Sequence, residues 1–478
     1  MANIMTGMLS EKEIAEIHKA SLTILAHTGI RVHHAEMLSL LGRDGATINP
    51  HTKIAKLPGQ LVMDCIAKTT KQYILYGRDP RQMARFGYGD TVWMSSPGQY
   101  AWIDLDTDQR RPATLTDTQD AIRLGDALEN ITIVGSMGQP QEIPETYRDV
   151  VLTAELVKGT TKPTRCWIKN GKTARYVLEI YQAIAGGSAA LRERPMIEAF
   201  LEPISPLQLP GDGLDIVAEF ARAGQPVSVG PMAMASGTAP ATLAGTLAQE
   251  NAEILAGVVM TQLLAPGTAM TYGGIPHIMD PRTSICSFGA PEQGLMAVAM
   301  VQLAGSYGFP VYVNTGLTDA KVPDAQAGME KGCTLLLSAL AGADTFGHCG
   351  ICGTDHAGSL LWLCMDNELG HYVRRILGGF EVNPDTLAKG PIHQVGPGGN
   401  FLAEQHTVDH FRKELWLSGP TWTRQSWDGW ESQGSLSWAD RAKIQIRSLL
   451  DDHTVEPIDP ALAREIDRMV ACAQQELA

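Results

Sequence analysis

Four side chains that can bind metals or carry out redox chemistry fall within one short segment, 344-DTFGHCGICGTDHAG-358. They are His348, Cys349, Cys352 and His356. The C-x2-C spacing is typical of zinc sites and of thiol–disulfide redox sites. A structural zinc site needs a second ligand pair, which the neighbouring sequence lacks, and a redox pair needs an electropositive setting, which Asp344 and Asp355 disfavour. We therefore expect His348 to face a cavity as a hydrogen-bond donor, with a zinc site as the alternative.

A second pair of histidines, His406 and His410, lies four residues apart in a predicted helix over 401–417. This spacing places both imidazoles on one helix face. The pair lacks the glutamate of the H-E-x-x-H metalloprotease pattern. Three carboxylates lie nearby in sequence: Glu404, Asp409 and Glu414. A carboxylate–histidine metal site and salt bridging on the helix surface are both compatible with this pattern, and we favour salt bridging.

The composition is that of a globular protein, with 478 residues of which 44% are hydrophobic and 19% charged. The net charge is −14 and no basic run occurs, so we expect neither nucleic acid nor an anionic membrane as a partner. The first residues lack the features of a secretory signal, and no apolar stretch is typical of a membrane span. The eight cysteines lie mostly in apolar segments. They predict reduced thiols and a cytoplasmic location.

After residue 115, short apolar segments alternate with helical patterns. Strands are predicted at 131–137, 164–169, 196–202, 226–230, 268–274, 310–315 and 344–348, with a weaker eighth at 391–395. Helices between them are predicted at 145–159, 240–265, 291–308 and 326–342. This alternation indicates a parallel sheet, and seven or eight such units predict a closed (β/α)8 TIM barrel over 116–400. An open doubly wound sheet is the alternative, but 135-GSMGQP-140 matches the dinucleotide-binding glycine pattern poorly.

Two extensions are predicted around the barrel. Residues 1–115 form an N-terminal helix at 10–29, with Ser10 and Glu13 as a capping box, followed by a small helix-plus-β region. Residues 401–478 form a C-terminal helical extension. Its tryptophan-rich part, 416–438, is expected either to form a subunit interface or to cap the barrel, and we expect a homo-oligomer.

The carboxyl ends of the predicted strands offer a set of polar and aromatic side chains. In a barrel of this kind these ends carry the functional residues. The set includes Ser136, Gln139, Trp167, Lys169, Glu202, Met232, Tyr272, His277, Asn314, His348 and Gln394. Aromatic rings near these ends, together with Tyr100, suit a cationic ligand, since each ring face attracts a cation by about 0.5–2 kcal/mol.

Three segments resemble the trimethylamine methyltransferase family, and in particular its glycine betaine:corrinoid methyltransferase branch. They are 273-GGIPHIMDPRTSICSFGAPEQ-293, 316-GLTDAKVPDAQAGMEK-331 and 399-GNFLAEQHTVDHFRKELW-416. The resemblance covers nearly the whole chain and implies a (β/α)8 barrel that transfers a methyl group from an amine to the Co(I) of a separate corrinoid protein. The founding members contain pyrrolysine and use trimethylamine, whereas this chain has only standard amino acids. That difference favours a quaternary amine, with glycine betaine ahead of proline betaine and carnitine.

A quaternary amine is already cationic, so its methyl group is activated without a proton. The expected cofactor is cobalamin supplied by the corrinoid-binding partner, and no metal is expected on this chain. The protein has to hold the cation, fix the carboxylate, aim one methyl group and exclude water. We assign Tyr100, Tyr272 and Trp167 to the ammonium and Glu202 to its counter-charge. His348, Asn314 and His277 are assigned to the substrate carboxylate or to the docked corrin ring.

Two alternatives remain at this point. One is a zinc-dependent corrinoid methyltransferase, for which the His/Cys segment 348–356 is the local candidate site. The other is a non-catalytic barrel protein that binds quaternary amines.

Overall fold

The computed structural model describes residues 6–478, and its centre is a sheet of eight parallel strands. In chain order the strands are β1 (Val92–Ser95), β2 (Ile131–Gly135), β3 (Thr164–Arg165), β4 (Ala199–Leu201), β5 (Val227–Val229), β6 (Met270–Gly274), β7 (Val311–Val313) and β8 (Thr345–Cys349). Their order across the sheet is β3-β2-β1-β8-β7-β6-β5-β4. Because β1 pairs with β8, the sheet curls round on itself. This confirms the predicted α/β barrel and seven of its eight predicted strands.

A helix follows each strand and packs outside the sheet. The helices are α1 (Leu115–Ala127), α2 (Arg148–Gly159), α3 (Gly171–Ala185), α4 (Gly211–Arg222), α5 (Leu243–Leu264), α6 (Pro291–Tyr307), α7 (Ala325–Ala341) and α8 (Leu360–Leu377). Helices α5 and α6 are apolar nearly all round and largely buried, because the N-terminal helices cover them. The four helices predicted from the sequence are among these eight.

The predicted strand at 391–395 is wrong. These residues form the helix Lys389–Val395, in which Pro391 lies in the first turn, where a proline is tolerated. The missing strand is β1, which lies inside the segment 1–115, so the barrel sheet begins before residue 116. All four residues of β1 are buried. A short, fully buried strand has no alternation of apolar and polar residues, and this is why the pattern did not reveal it.

The edge strands β3 and β4 are joined by side chains inside the barrel. Arg165 of β3 forms an ion pair with Glu198, which directly precedes β4, at 2.6 Å. The hydroxyl of Tyr73 donates to the other oxygen of Glu198 at 2.7 Å. Tyr73 belongs to the hairpin Tyr73–Tyr76/Met83–Phe86, whose apolar side chains pack into the amino-terminal end of the barrel. The accessible end is therefore the carboxyl end of the strands.

The N-terminal extension begins with the helix Glu11–Thr23, and its predicted capping box, Ser10 with Glu13, is present. A π-helical turn, Ile24–Thr28, ends at Gly29, whose φ of 79° suits glycine. The further elements are Ile30–Val32, Ala35–Arg43, Thr47–Asn49, Ile54–Lys56 and Gly59–Lys68. Two strands between β1 and α1, Ala101–Ile103 and Arg110–Pro112, pair with each other beside the mouth of the barrel.

The C-terminal helices are Lys389–Val395, Gln405–Glu414, Trp427–Ser432, Trp438–Asp452 and Pro460–Leu477. Trp416 and Trp422 pack against Tyr372 of α8, with ring centroids 5.4 and 5.9 Å apart. Tyr372 lies twelve residues along α8, about 18 Å from the mouth at the rise of an α-helix. These tryptophans therefore lie on the outer layer and do not cap the barrel. The homo-oligomer stays a prediction.

All eight cysteines are free thiols, as the composition predicts. Within residues 6–478, no helix combines the length and the apolar character needed to cross a membrane.

Replacing Glu198 with alanine should leave Arg165 as an unpaired charge inside the barrel. We expect a loss of about 3–5 kcal/mol in the free energy of unfolding, measured by chemical denaturation. The control is Arg175→Ala, which removes an ion pair with Glu219 in which Arg175 is 68% exposed. That pair should contribute no more than about 1 kcal/mol. Equal losses for the two variants would contradict the structural role given to the buried pair.

Candidate active site at the carboxyl end of the barrel

An irregularity in β8 aims His348 into the barrel. The pairing of β8 with β1 shifts register between Phe346 and Cys349, and His348 has a φ of 62°. Gly347 allows this path, because a Cβ atom there would lie 2.3 Å from the ring of Tyr312. A non-glycine residue in this conformation is uncommon and is often found at functional sites. As a result, the His348 ring lies 5.8 Å from the ring of Trp167, between centroids.

A wall of aromatic rings lines the interior next to His348. Trp167 contacts Phe200 edge-to-face at 5.8 Å, and Phe200 contacts Tyr312 in the same manner at 5.9 Å. The indole N–H of Trp167 donates to the carbonyl of Gly98 at 3.3 Å, which fixes the ring. Such a surface can hold an organic cation.

A group of buried polar side chains faces the same space. Gln293 Nε2 donates to the carbonyl of Asn314 at 2.6 Å and lies 3.4 Å from His277 Nδ1. Within this group, four buried atoms have no hydrogen-bond partner among the described residues: His277 Nε2, Gln293 Oε1, Asn314 Oδ1 and His348 Nδ1. Buried polar atoms are nearly always paired, so this cluster indicates a place where a ligand binds. Burial lowers the pKa of both histidines to about 3. They are therefore neutral and can donate an N–H.

Two carboxylates lie closer to the mouth. Burial raises the pKa of Glu202 to about 7, and the charge of Asp355 adds to this rise. Burial also raises the pKa of Asp355 to about 6, although Gln99 Nε2 donates a hydrogen bond to it at 2.5 Å. Because these carboxylates repel each other in a partly desolvated place, a cation next to them would stabilise both ionised forms.

Arg165 supplies the opposite charge at the base of the site. Its guanidinium lies 4.9 Å from the ring centroid of Phe200 and 5.8 Å from that of Tyr312. Among the described residues, its side-chain hydrogen bonds run from Nη1, to Glu198 and to the Met94 sulfur. The remaining guanidinium N–H groups are free to bind an anionic group. The site thus has spare guanidinium donors at its base and carboxylates nearer its mouth.

A cavity of about 610 Å³ opens at this end of the barrel. Trp167, Gln99 and Asp355 line it from the side of the aromatic wall. Tyr100 lies on its outer rim and is 52% exposed, with the Arg110 guanidinium 5.2 Å from its ring centroid. The cavity is large enough for a small organic substrate.

The structure brings five of the seven predicted site residues together around the barrel interior: Trp167, Glu202, His277, Asn314 and His348. Tyr100 lies farther out, on the rim of the cavity that Trp167 also lines. The assignment of Tyr272 to the site is wrong. Its hydroxyl donates to Asn251 of α5 at 2.8 Å, and its ring packs near Tyr307 and Phe309, outside the sheet. The reason is strand alternation: Thr271 faces inward and contacts Tyr73, so Tyr272 must face the helices.

Five further residues belong to the site and were not predicted from the sequence: Gln99, Arg165, Phe200, Gln293 and Asp355. Two of them could have been found from strand alternation, because residues two apart in a strand point to the same face of the sheet. Arg165 precedes Trp167 by two residues, and Phe200 precedes Glu202 by two. The other three come from loops or a helix start, and no periodicity links those segments to the strand ends.

The His/Cys segment does not form a zinc site at the mouth. His348 points into the barrel, His356 is exposed, and Cys349 is buried. Burial raises the pKa of Cys352 to about 11 and that of Cys349 further, which keeps both thiols protonated. Across residues 6–478, no group of three metal-ligating side chains includes any of these residues. The zinc-dependent alternative therefore has no ligand set here.

The sequence has relatives among characterised enzymes. A family model described as "Trimethylamine methyltransferase (MTTB)" matches residues 2–478. The trimethylamine methyltransferase MttB of Desulfitobacterium hafniense (strain DSM 10664 / DCB-2) is 32% identical over 469 residues, covering 98% of this chain and 94% of the relative. The glycine betaine methyltransferase of D. hafniense (strain Y51) is 30% identical over 474 residues, covering 98% of each.

A solved structure has the same fold. The monomethylamine methyltransferase MtmB of Methanosarcina barkeri aligns with a TM-score of 0.54 at 11% identity, covering 93% of this chain and 88% of that one. At this identity the likeness supports the barrel architecture alone.

Replacing Tyr272 with phenylalanine should lower stability without changing the cavity. The variant loses one buried hydrogen bond, to Asn251, and we expect a cost of about 1 kcal/mol in chemical denaturation. Tyr88→Phe serves as control because the Tyr88 ring is 43% exposed and packs against the Arg85 guanidinium. A Tyr272→Phe variant with parental stability but altered ligand binding would place the ring inside the site after all.

Proposed function

Because the chain belongs to the trimethylamine methyltransferase family, we propose that it transfers a methyl group from a quaternary amine to the Co(I) of a corrinoid carried by a separate protein. Family membership makes the chain a methyltransferase that acts on a methylated amine. We further propose that the donor is a zwitterion, with glycine betaine as the first candidate.

The distribution of charged side chains in the site is the main support for a zwitterionic donor. Glycine betaine has a permanent positive charge at one end and a carboxylate at the other. Arg165 at the base of the cavity complements the carboxylate, while Glu202 and Asp355 near the mouth complement the ammonium. Trimethylamine has no carboxylate, so it would leave the free N–H groups of Arg165 without a partner, at a cost in binding.

This orientation also places the reacting methyl group correctly. With the carboxylate on Arg165, the ammonium lies beside Trp167 and Glu202, and one methyl group points out of the mouth. The corrinoid partner supplies the nucleophilic electron pair. The C–N bond breaks as the methyl group is transferred, its electrons stay on nitrogen, and dimethylglycine leaves as a neutral amine. The chain therefore contributes positioning and charge stabilisation and needs no proton transfer.

His277, Asn314 and His348 then act as neutral hydrogen-bonding groups around the donor. Each of the three has a buried side-chain atom without a hydrogen-bond partner among the described residues, and the low pKa of the histidines keeps positive charge away from the ammonium. We assign Asn314 and His277 to the substrate carboxylate and His348 to the side of the site that the corrin ring approaches. Tyr100, on the exposed rim, is assigned to contact with the docked partner.

The deciding experiment is a panel of methylated amines incubated with the protein and reduced cobalamin, with methylcobalamin followed by absorbance. The panel contains glycine betaine, proline betaine, carnitine and trimethylamine. We expect methyl transfer from a carboxylate-bearing quaternary amine. Transfer from trimethylamine alone would contradict the zwitterion assignment. Tight binding of a quaternary amine without transfer to cobalamin or to a corrinoid protein would support the non-catalytic alternative.

The affinity for glycine betaine should rise with pH between 6 and 8. Glu202 has a raised pKa of about 7, so its carboxyl is neutral below that pH and becomes an anion above it, which attracts the ammonium. At pH 8, Glu202→Gln should bind about tenfold more weakly, corresponding to roughly 1.4 kcal/mol, and should show a flatter pH profile. The measurement is isothermal titration calorimetry.

The matched control for this titration is Glu145→Gln. Glu145 lines the outer part of the same cavity and is paired with Lys169, so its loss should leave the profile unchanged. A parental affinity that falls as pH rises would contradict the role given to Glu202.

A further inference from the structure

Three metal-ligating side chains converge far from the mouth of the barrel. They are Asp385, in the segment after α8, and His406 and His410, in the helix Gln405–Glu414. Their ligand atoms all lie within 4.8 Å of one another. His410 Nε2 lies 3.2 Å from Asp385 Oδ2, and His406 Nε2 lies 3.3 Å from the Asp385 carbonyl oxygen. In the part of the chain that the structure describes, this is the one group of three such side chains.

The local structure holds these groups in place. The four-residue spacing stacks the two imidazoles on one face of the helix, with centroids 4.2 Å apart and planes tilted by 30°. Both Nε2 atoms face Asp385. The turn that carries Asp385 is fixed by Asn383, whose Oδ1 accepts hydrogen bonds from the backbone N–H groups of Asp385 and Thr386 at 3.0 and 2.9 Å.

Two imidazole nitrogens and one carboxylate oxygen form a ligand set that zinc prefers. With bonds of about 2.0–2.2 Å, tetrahedral ligand atoms lie roughly 3.3 Å apart. The 3.2 Å between His410 Nε2 and Asp385 Oδ2 matches this value, and all three ligand atoms lie within 4.8 Å of one another. A salt bridge explains the geometry less well. The side chain of Asp385 is 75% exposed, and ion pairs at such positions typically contribute about 0–1 kcal/mol.

The surrounding segment has little hydrophobic support of its own. The helices Lys389–Val395, Gln405–Glu414 and Trp427–Ser432 contain no buried residue. Several of its apolar side chains are exposed: Val382, Leu387, Ile392, Leu402, Val408, Leu415 and Leu417. A segment that buries so little apolar surface is stabilised most by a cross-link. A metal ion bound both to Asp385 and to the helix Gln405–Glu414 would supply one.

We propose that Asp385, His406 and His410 bind one Zn²⁺ ion, with water as the fourth ligand. The ion would tie the turn at residues 383–386 to the helix Gln405–Glu414 and so stabilise the segment that follows α8. This site is structural and separate from the barrel mouth. It replaces the salt-bridge interpretation of the two histidines and the expectation that this chain binds no metal.

The test is zinc binding by the full-length protein after removal of metals with a chelator. Equilibrium dialysis against ZnCl₂ with elemental analysis should give about one zinc per chain. His406→Ala and His410→Ala should each weaken binding by at least about tenfold, since even loss of an outer-shell partner typically costs 10–100-fold. His393→Ala is the matched control, because His393 is exposed on the neighbouring helix and outside the cluster. It should bind zinc like the parent.

A second readout separates a built site from surface binding. Zinc should slow amide hydrogen exchange in residues 383–414 of the parent and of His393→Ala, and should have no such effect in His406→Ala.

Equal binding by the parent and the His406→Ala/His410→Ala double variant would identify adventitious zinc and overturn the proposal, as would a failure of the parent to bind. None of these measurements depends on methyl transfer, so they test the zinc site independently of the proposed function.

Discussion

The need to balance a buried charge inside the barrel governs this structure. Arg165 is buried in the interior, and Glu198 neutralises it from the adjacent strand. The same pair joins β3 to β4, which are the two edges of the hydrogen-bonded sheet. Glu198 in turn orders Tyr73, which closes the amino-terminal end. One ion pair therefore completes the wall of the barrel, closes its base and leaves a guanidinium with spare donors facing the cavity. That arrangement supports the proposed zwitterionic ligand.

Strand alternation then decides which side chains join Arg165. Because successive residues point to opposite faces, Arg165 and Trp167 share the interior, as do Glu198, Phe200 and Glu202. The same rule places Tyr272 among the helices, although it ends a strand and is aromatic. Residue type and position at a strand end were therefore insufficient criteria, and the inward or outward phase of each strand was also required.

The loops add what the strands cannot supply. The register shift in β8 turns His348 inward. Loops place Gln99 and Asp355 on the wall of the cavity, and His277 lies next to Gln293. Buried imidazoles stay neutral there, while clustered carboxylates keep raised pKa values. A site built in this way suits the proposed reaction, in which the chain binds and orients a quaternary amine and transfers no proton. At the other end of the molecule, the segment after α8 has few buried side chains. A metal ion bound by His406 and His410 would therefore add to the stability of that segment.

The sequence by itself determined the barrel, because strands and helices of the right lengths alternate along it and each parallel connection requires a crossover helix. Seven of eight strands, the N-terminal capping box and five site residues followed from local patterns. The tertiary structure decided the rest. It showed that β1 is the strand Val92–Ser95, since a short buried strand has no distinguishing period. It brought Asp355 and Gln99 to the mouth, and Asp385 to His406 and His410, because contacts between residues distant in sequence arise only when the chain has folded.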